Sequence, residues 1–506
     1  MILAVSACSS DTPPAATLQA EAPAPTATQA SEAANPLFSA STLPFQTPDF
    51  RTIEDAHFLP ALTEGMKQQL VEIDAIANNP EPATTVNTLE ALERSGELLN
   101  RTSQVFFNLV GTDSNEARRA IQSEIAPKVA AHQDAILLNP KLFARVKALY
   151  EAREGAGHDP ETLRLIEQTY QRFVRAGAEL SEQDKATVRA LNEEQATLTT
   201  AFQQTLMKQT DLAAVVVDSE AELDGLDAAA IAAAAKAATE AGHEGKWLLR
   251  ITNTTRQPVL TSLKNRELRQ RVWEASANRG FSDGEGDTRK TVLRLAQLRA
   301  ERAALLGSPN HASYSLQNQM AGTPEAALGM LDDLAPAALA NARKEAEQIQ
   351  AAVVADGGDF QLAPWDWEYY AEKVRASSYD FDPELVKPYF ELDRVLKDGV
   401  FFALNRFYGI SFRERTDLPV YHPDVRVFDV LDSDDSQIGL FYVDYFARPS
   451  KRGGAWMSTF RGQSELLNQK PVAINVMNIP KPVDGQPALL SFDEVTTMFH
   501  EIGHGV

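Results

Sequence analysis

The chain has 506 residues, 44% hydrophobic and 23% charged, with 48 Lys+Arg against 70 Asp+Glu and a formal net charge of −22. That is globular composition, and its acidic balance repels phosphate backbones, which argues against nucleic acid as a partner. A single cysteine, Cys8, excludes an intrachain disulfide and a cysteine-built zinc site.

The N-terminus reads Met-Ile-Leu-Ala-Val-Ser-Ala-Cys, and Val5-Ser6-Ala7-Cys8 resembles a bacterial lipobox. No basic residue precedes Cys8, as expected of a lipoprotein signal (1–8) clipped by a misplaced start codon. Residues 9–35 are rich in Ala, Pro, Thr and Ser, the composition of a flexible tether. Together these features imply lipidation of Cys8 and a protein held on the periplasmic face of a bacterial membrane. If the motif is accidental, the alternative is a cytoplasmic protein. No other run reaches the roughly 18 apolar residues that span a bilayer, so any membrane contact is expected through the N-terminal lipid alone.

Helical patterning follows. Phe58, Leu62, Met66, Leu70 and Ile73 recur at spacings of three and four until Asn78-Asn79-Pro80. Asp159-Pro160-Glu161 reads as an N-cap with proline at the first helical position. Ser181 with Asp184 offers a variant capping box before the stripe Val188, Leu191, Leu198, Phe202 and Leu206. The alanine run 228–238 reads as a packing helix. Helices are also expected over 267–306, 324–354, 366–375 and 383–407.

Near residue 420 the texture changes. Segments 425–431 and 438–446, joined by the Asp/Ser-rich turn 432–436, read as a β-hairpin. Residues 471–479 alternate Val472, Ile474 and Val476 with Ala473, Asn475 and Met477, as in a strand with one buried face.

The segment that carries chemistry comes next. Ser491-Phe492-Asp493-Glu494 is a capping box. On the helix it opens, His500 and His504 are four residues apart and share one face, so both imidazoles can reach a single ion at about 2.0–2.1 Å. Glu501 lies about 100° around the helix from His500. It can approach a water on that ion without binding the ion, and act as general base. Gly503 costs roughly 1 kcal/mol in a helix, which suggests a close approach by substrate or by a neighbouring element. The other six histidines (His57, His132, His158, His243, His311, His422) lack ligand spacing.

The stretch Phe492 to His504 resembles the zinc helix of the thimet-oligopeptidase-like metallopeptidases. Ser41–Phe45, Leu92–Leu99, Ala363–Trp367, Lys387–Leu392, Val420–Val427 and Gly453–Met457 are similar to the bacterial peptidyl-dipeptidase (dipeptidyl carboxypeptidase) branch. The resemblance implies a mainly α, clam-like, two-lobed enzyme with a deep channel and a small β-sheet beside the zinc helix. It divides the folded part into an N-terminal helical region (36–260) and the start of the catalytic region (261–506). It further implies one Zn2+ held by His500 and His504, Glu501 as catalytic base, and a monomer that releases C-terminal dipeptides from short unfolded peptides.

The family's third zinc ligand and its oxyanion-stabilising residues lie beyond His504 and are not among these 506 residues. On that reading the chain is truncated at its C-terminus, and as given it is expected to hydrolyse no peptide and to lose zinc on dialysis. Two alternatives stand beside it: an endo-acting oligopeptidase of the same family, and a catalytically silent peptide-binding lipoprotein.

Overall fold

The three- and four-residue apolar spacing over 58–73 folds as α1 (Phe58–Ala77), which buries Phe58, Leu62, Met66 and Ile73. The protein is represented by a computed structural model that describes residues 35–506 other than 252–256, 282, 380–384 and 483–485. Cys8 and the tether, apart from Asn35, lie outside the described residues, while Pro36–Val506 groups as one compact unit.

Helices α2 (Glu97–Thr112) and α3 (Glu116–Leu137) pack on α1. Gly65 permits the α1–α2 contact, because a Cβ there would lie 2.8 Å from the Leu99 backbone. Beyond them run α4 (Pro140–Ala152), α5 (Pro160–Ala176) and α6 (Glu182–Leu212). Asp159 Oδ1 caps α5, accepting the N–H groups of Glu161 and Thr162 at 2.9 and 3.0 Å. Ser181 Oγ caps α6 through the Asp184 N–H at 3.2 Å and donates to the Asp184 carboxylate at 2.7 Å. The alanine run becomes α7 (Ala228–Glu240), followed by α8 (Arg266–Ala277), α9 (Arg289–Leu305), α10 (Pro324–Ala355) and α11 (Trp367–Tyr379).

Two strands outside the expected sheet, β1 (Val215–Val217) and β2 (Trp247–Leu249), form an antiparallel pair. The main sheet has five: β3 (Ser411–Arg415), β4 (Arg426–Leu431), β5 (Gln437–Phe446), β6 (Trp456–Arg461) and β7 (Val472–Ile479). Their order is β3-β4-β5-β7-β6, with β5 and β7 parallel and every other pair antiparallel. The hairpin read from sequence is β4–β5. The two edge strands β3 and β6 escaped the sequence reading.

Two expectations need correction. Strand β7 was expected to bury one face, yet Val472 to Met477 are all buried. Val472, Ile474 and Val476 pack with Leu440 and Tyr442 against Phe58, Leu62, Phe106 and Leu109 of α1 and α2. Ala473 and Met477 pack with Phe441 and Val443 against Leu396, Val400, Met498 and Ile502. The N-terminal helices therefore cover a face that strand periodicity alone leaves to solvent, and one core is shared across residue 260.

Of the helix expected over 383–407, residues 383 and 384 lie outside the described residues, Lys387–Tyr389 is a 3-10 turn, and the continuous helix begins at Leu392, running through Leu392–Arg394, a π-helical segment Val395–Phe401 and Phe402–Tyr408. Glu391, directly before the helix, is held extended by an antiparallel bridge to Leu489. The Leu490 N–H donates to the Phe390 carbonyl at 2.8 Å, and the Leu392 N–H to the Ala488 carbonyl at 2.9 Å.

Asp444 of β5 has no exposed surface. Arg448 contacts its two oxygens at 2.8 and 2.6 Å, Lys451 Nζ approaches at 2.9 Å, and the Tyr421 hydroxyl donates to it. Lys451 Nζ also reaches the carbonyls of Asp444, Phe446 and Met477, at 2.7, 2.9 and 2.6 Å. Arg448 and Arg452 bond the Thr112 and Gly111 carbonyls at the end of α2, at 2.6 and 2.8 Å.

Burial pushes the Asp444 carboxyl up, but Arg448, Lys451 and the Tyr421 hydroxyl outweigh it and hold the group below its ordinary value of 3.8. A carboxyl depressed in the fold stabilises fully above its unfolded value, and that contribution is lost as pH falls below it. Asp444→Asn leaves Arg448 and Lys451 facing a neutral amide. It is expected to cost about 3–5 kcal/mol at pH 7, read as a lower urea midpoint. The gap between variant and parent should narrow from about pH 4 downward. An unchanged midpoint at pH 7 would contradict this role.

Candidate metal centre

The pairing of 488–490 with 390–392 aims the chain into helix α12 (Phe492–Gly503). Ser491 Oγ accepts the Glu494 N–H at 3.2 Å, and the Glu494 carboxylate accepts the Ser491 N–H at 2.8 Å, closing the capping box read from sequence. Met498 and Ile502, both essentially without exposed surface, plant the helix on the sheet through Phe441, Ala473 and Met477. With those residues facing down, the helical repeat turns His500 and His504 outward and sets Glu501 on the flank.

His500 and His504 are exposed and Glu501 is buried, at 8%. The two Nε2 atoms lie 3.1 Å apart, and the rings stand 4.7 Å apart at 85°. Two imidazoles on an ideally tetrahedral zinc place their nitrogens about 3.3 Å apart, a spacing close to that of this pair. Among the described residues no group of three or more His, Cys, Asp or Glu gathers at metal-binding distance. The structure thus supplies two donors and, one residue along from His500, a carboxylate screened from bulk water.

Of the two approaches expected at Gly503, no neighbouring element of the chain makes one. A Cβ there would meet nothing within 4 Å, whereas one on Gly505 would lie 3.6 Å from Phe441 and 3.9 Å from Met457. Several scattered histidines hold local structure: His57 accepts the Glu54 N–H, His132 is buried against Gln69 at 2.7 Å, and His422 accepts the Asp424 N–H.

Sequence reasoning missed a polar feature beneath the helix. Asn475, with no exposed surface, belongs to the same face of β7 as Ala473 and Met477, and neither of its amide atoms has a hydrogen-bond partner. The Tyr445 hydroxyl of β5 is likewise buried and unpaired, and burial pushes it far above the ordinary phenol range. The one signal available was an amide inside an otherwise apolar strand.

Among the described residues no helix is long and apolar enough to cross a membrane. The family model for peptidase family M3 matches residues 259–506. Over 470 residues the chain is 45% identical to the dipeptidyl carboxypeptidases of Escherichia coli and Salmonella typhimurium, covering 93% of this chain and 69% of each relative. It is 31% identical to oligopeptidase A of Escherichia coli, over 93% of this chain and 70% of that protein. Similarity of that extent shows that the chain belongs to peptidase family M3, a family of metal-dependent peptidases, and the paired histidines and buried glutamate lie on one capped helix inside the matched region.

Proposed function

We propose that this protein is a zinc peptidase acting as a monomer and releasing C-terminal dipeptides from short unfolded peptides. The observation that carries the reading is the 3.1 Å convergence of His500 and His504 Nε2 beside the buried Glu501. The dipeptide specificity is supported by the relatives at 45% identity, which are named dipeptidyl carboxypeptidases.

His500 and His504 would hold the ion through their Nε2 atoms. A zinc ion there supplies Lewis acidity toward a peptide carbonyl and toward the attacking water. Glu501 takes the proton that the water gives up and returns it to the leaving amine nitrogen. Its burial suits that work, because a carboxylate shielded from bulk solvent exchanges its proton with the reacting atoms instead.

Oligopeptidase A relatives at 31% identity favour a second reading, an endo-acting oligopeptidase on the same chemistry. The experiment that separates the two is digestion of an N-acetylated peptide by the full-length protein, with products identified by mass spectrometry. Successive C-terminal dipeptides support the first reading, and internal cuts the second. Glu501→Gln should lower kcat by about 10²–10⁴-fold while zinc content, measured by mass spectrometry of the metal, stays unchanged. A Glu501→Gln protein with full turnover would overturn the mechanism.

The Val5–Cys8 motif supports a lipid on Cys8 and a place on the periplasmic face of a membrane. Metabolic labelling with a radioactive fatty acid should mark the protein and be abolished by Cys8→Ser. An unlabelled parent protein would remove the anchor.

A further inference from the structure

A cavity of about 630 Å³ opens between the N-terminal segment 36–53, the first turns of α2 and the loop 462–469 that follows β6. Three arginines line it. Arg94 stands at the exposed rim, 3.9 Å from Glu90. Arg101 of α2, its side chain 18% exposed, and Arg461 at the end of β6 are half-buried. Arg101 Nη1 approaches Glu97 Oε1 at 3.1 Å, and its Nη2 donates to the Leu37 carbonyl at 3.0 Å. Arg461 commits only Nη1, which donates to the Phe45 carbonyl at 3.0 Å. Its Nε and Nη2 form the edge of a guanidinium that grips an oxoanion through two parallel bonds. Neither makes a hydrogen bond among the described residues, and Arg461 forms no ion pair among them.

Negative charge is short where solvent is scarcest. Burial depresses the Arg461 pKa, opposed by Glu97 and reinforced by the neighbouring Arg101 charge. Burial depresses Arg101 as well, again against Glu97. Asp49, Glu93 and Glu97 also line the cavity. Both oxygens of Asp49 are held by Arg51, at 2.7 and 2.8 Å. Glu93 and Glu97 are exposed, so solvent screens them more than it screens the two half-buried guanidiniums. The Ser41 and Ser464 hydroxyls each accept a backbone N–H, from Leu43 at 3.2 Å and Leu467 at 3.3 Å, which leaves both O–H groups to donate. Backbone strain gathers at the same place. Four described residues other than glycine have positive φ, and three lie in or beside this lining: Phe45 (52°), Gln46 (56°) and Asn468 (49°). A left-handed phenylalanine is an outlier that persists only where its surroundings enforce it. Here its carbonyl is the group that Arg461 holds.

We infer that this cavity binds an oxoanion, either an organic carboxylate or inorganic phosphate, on the free Nε and Nη2 edge of Arg461. Arg101 adds charge, and the Ser41 and Ser464 hydroxyls are further donors. Arginine suits this task because its planar fork matches the spacing of two oxygens. A cation would meet two half-buried guanidiniums, and an apolar ligand would strip them of water without compensation. The volume falls in the range of ligand pockets, which leaves room for a polar body behind a carboxylate. None of the α12 residues lines the cavity, so the site is separate from the histidine pair.

The test is isothermal titration of the full chain at low ionic strength with three probes: inorganic phosphate, succinate, and the neutral diamide of succinate. Saturable binding of at least one anion is expected, with the diamide roughly tenfold weaker or more than succinate. Arg461→Gln should weaken the bound anion roughly tenfold or more, the loss of a hydrogen-bonded charge. Arg461→Lys, which keeps the charge and loses the fork, should weaken it by a smaller factor. A urea midpoint for each variant shows that it is folded, and Arg461→Lys carries the test if the glutamine variant is not. Tighter phosphate binding assigns the site to inorganic oxoanions, and tighter succinate binding assigns it to organic carboxylates. No binding of either anion, a diamide as tight as succinate, or parent affinity in the folded Arg461 variants overturns the inference. The last outcome would move the anion to the histidine pair. Because binding is read without turnover, failure here would leave the proposed peptidase activity standing, and an inactive protein would leave this site testable.

Discussion

A buried carboxylate needs positive partners, and Asp444 finds them only if the loop after β5 folds back over the strand. Arg448 and Lys451 come from that loop, and the same segment bonds the carbonyl end of α2 through Arg448 and Arg452. One ionic contact therefore holds together a central strand, the connection to β6 and an N-terminal helix more than 300 residues away in sequence. With β6 held there, β7 fills the place between β5 and β6, parallel to the first and antiparallel to the second.

The histidine helix inherits its position from that sheet. Its upper face is useful because its lower face is committed, with Met498 and Ile502 on Phe441, Ala473 and Met477. Asn475 and Tyr445 interrupt this apolar layer with unpaired polar atoms, each a cost of about 1–3 kcal/mol relative to a satisfied group. Such atoms are tolerated because the surrounding hydrophobic contact is extensive, with both sheet faces covered.

Much of the local structure was legible because local physics decides it. The capping residues Asp159, Ser181 and Ser491 satisfy backbone N–H groups within three residues of themselves, so no distant contact is needed to predict them. The β4–β5 hairpin announces itself through its turn. By contrast, β1 and β2 are three residues each and are strands only through each other. The edge strands β3 and β6 mix charged and polar residues that match no alternation. The delayed helix start at Leu392 depends on bonds to residues almost a hundred positions later.

The sequence alone determined the arrangement at residues 500–504, because two imidazoles four residues apart on a helix share a face whatever surrounds them. It also placed Glu501 out of line with the pair. Tertiary structure decided how deeply Glu501 is buried, that no neighbouring element crowds Gly503, and that β7 is covered on both sides. It also decided that an arginine-lined cavity forms between segments distant in sequence. Each of these depends on what packs against a residue, and the packing partners are supplied by distant parts of the chain that no local pattern specifies.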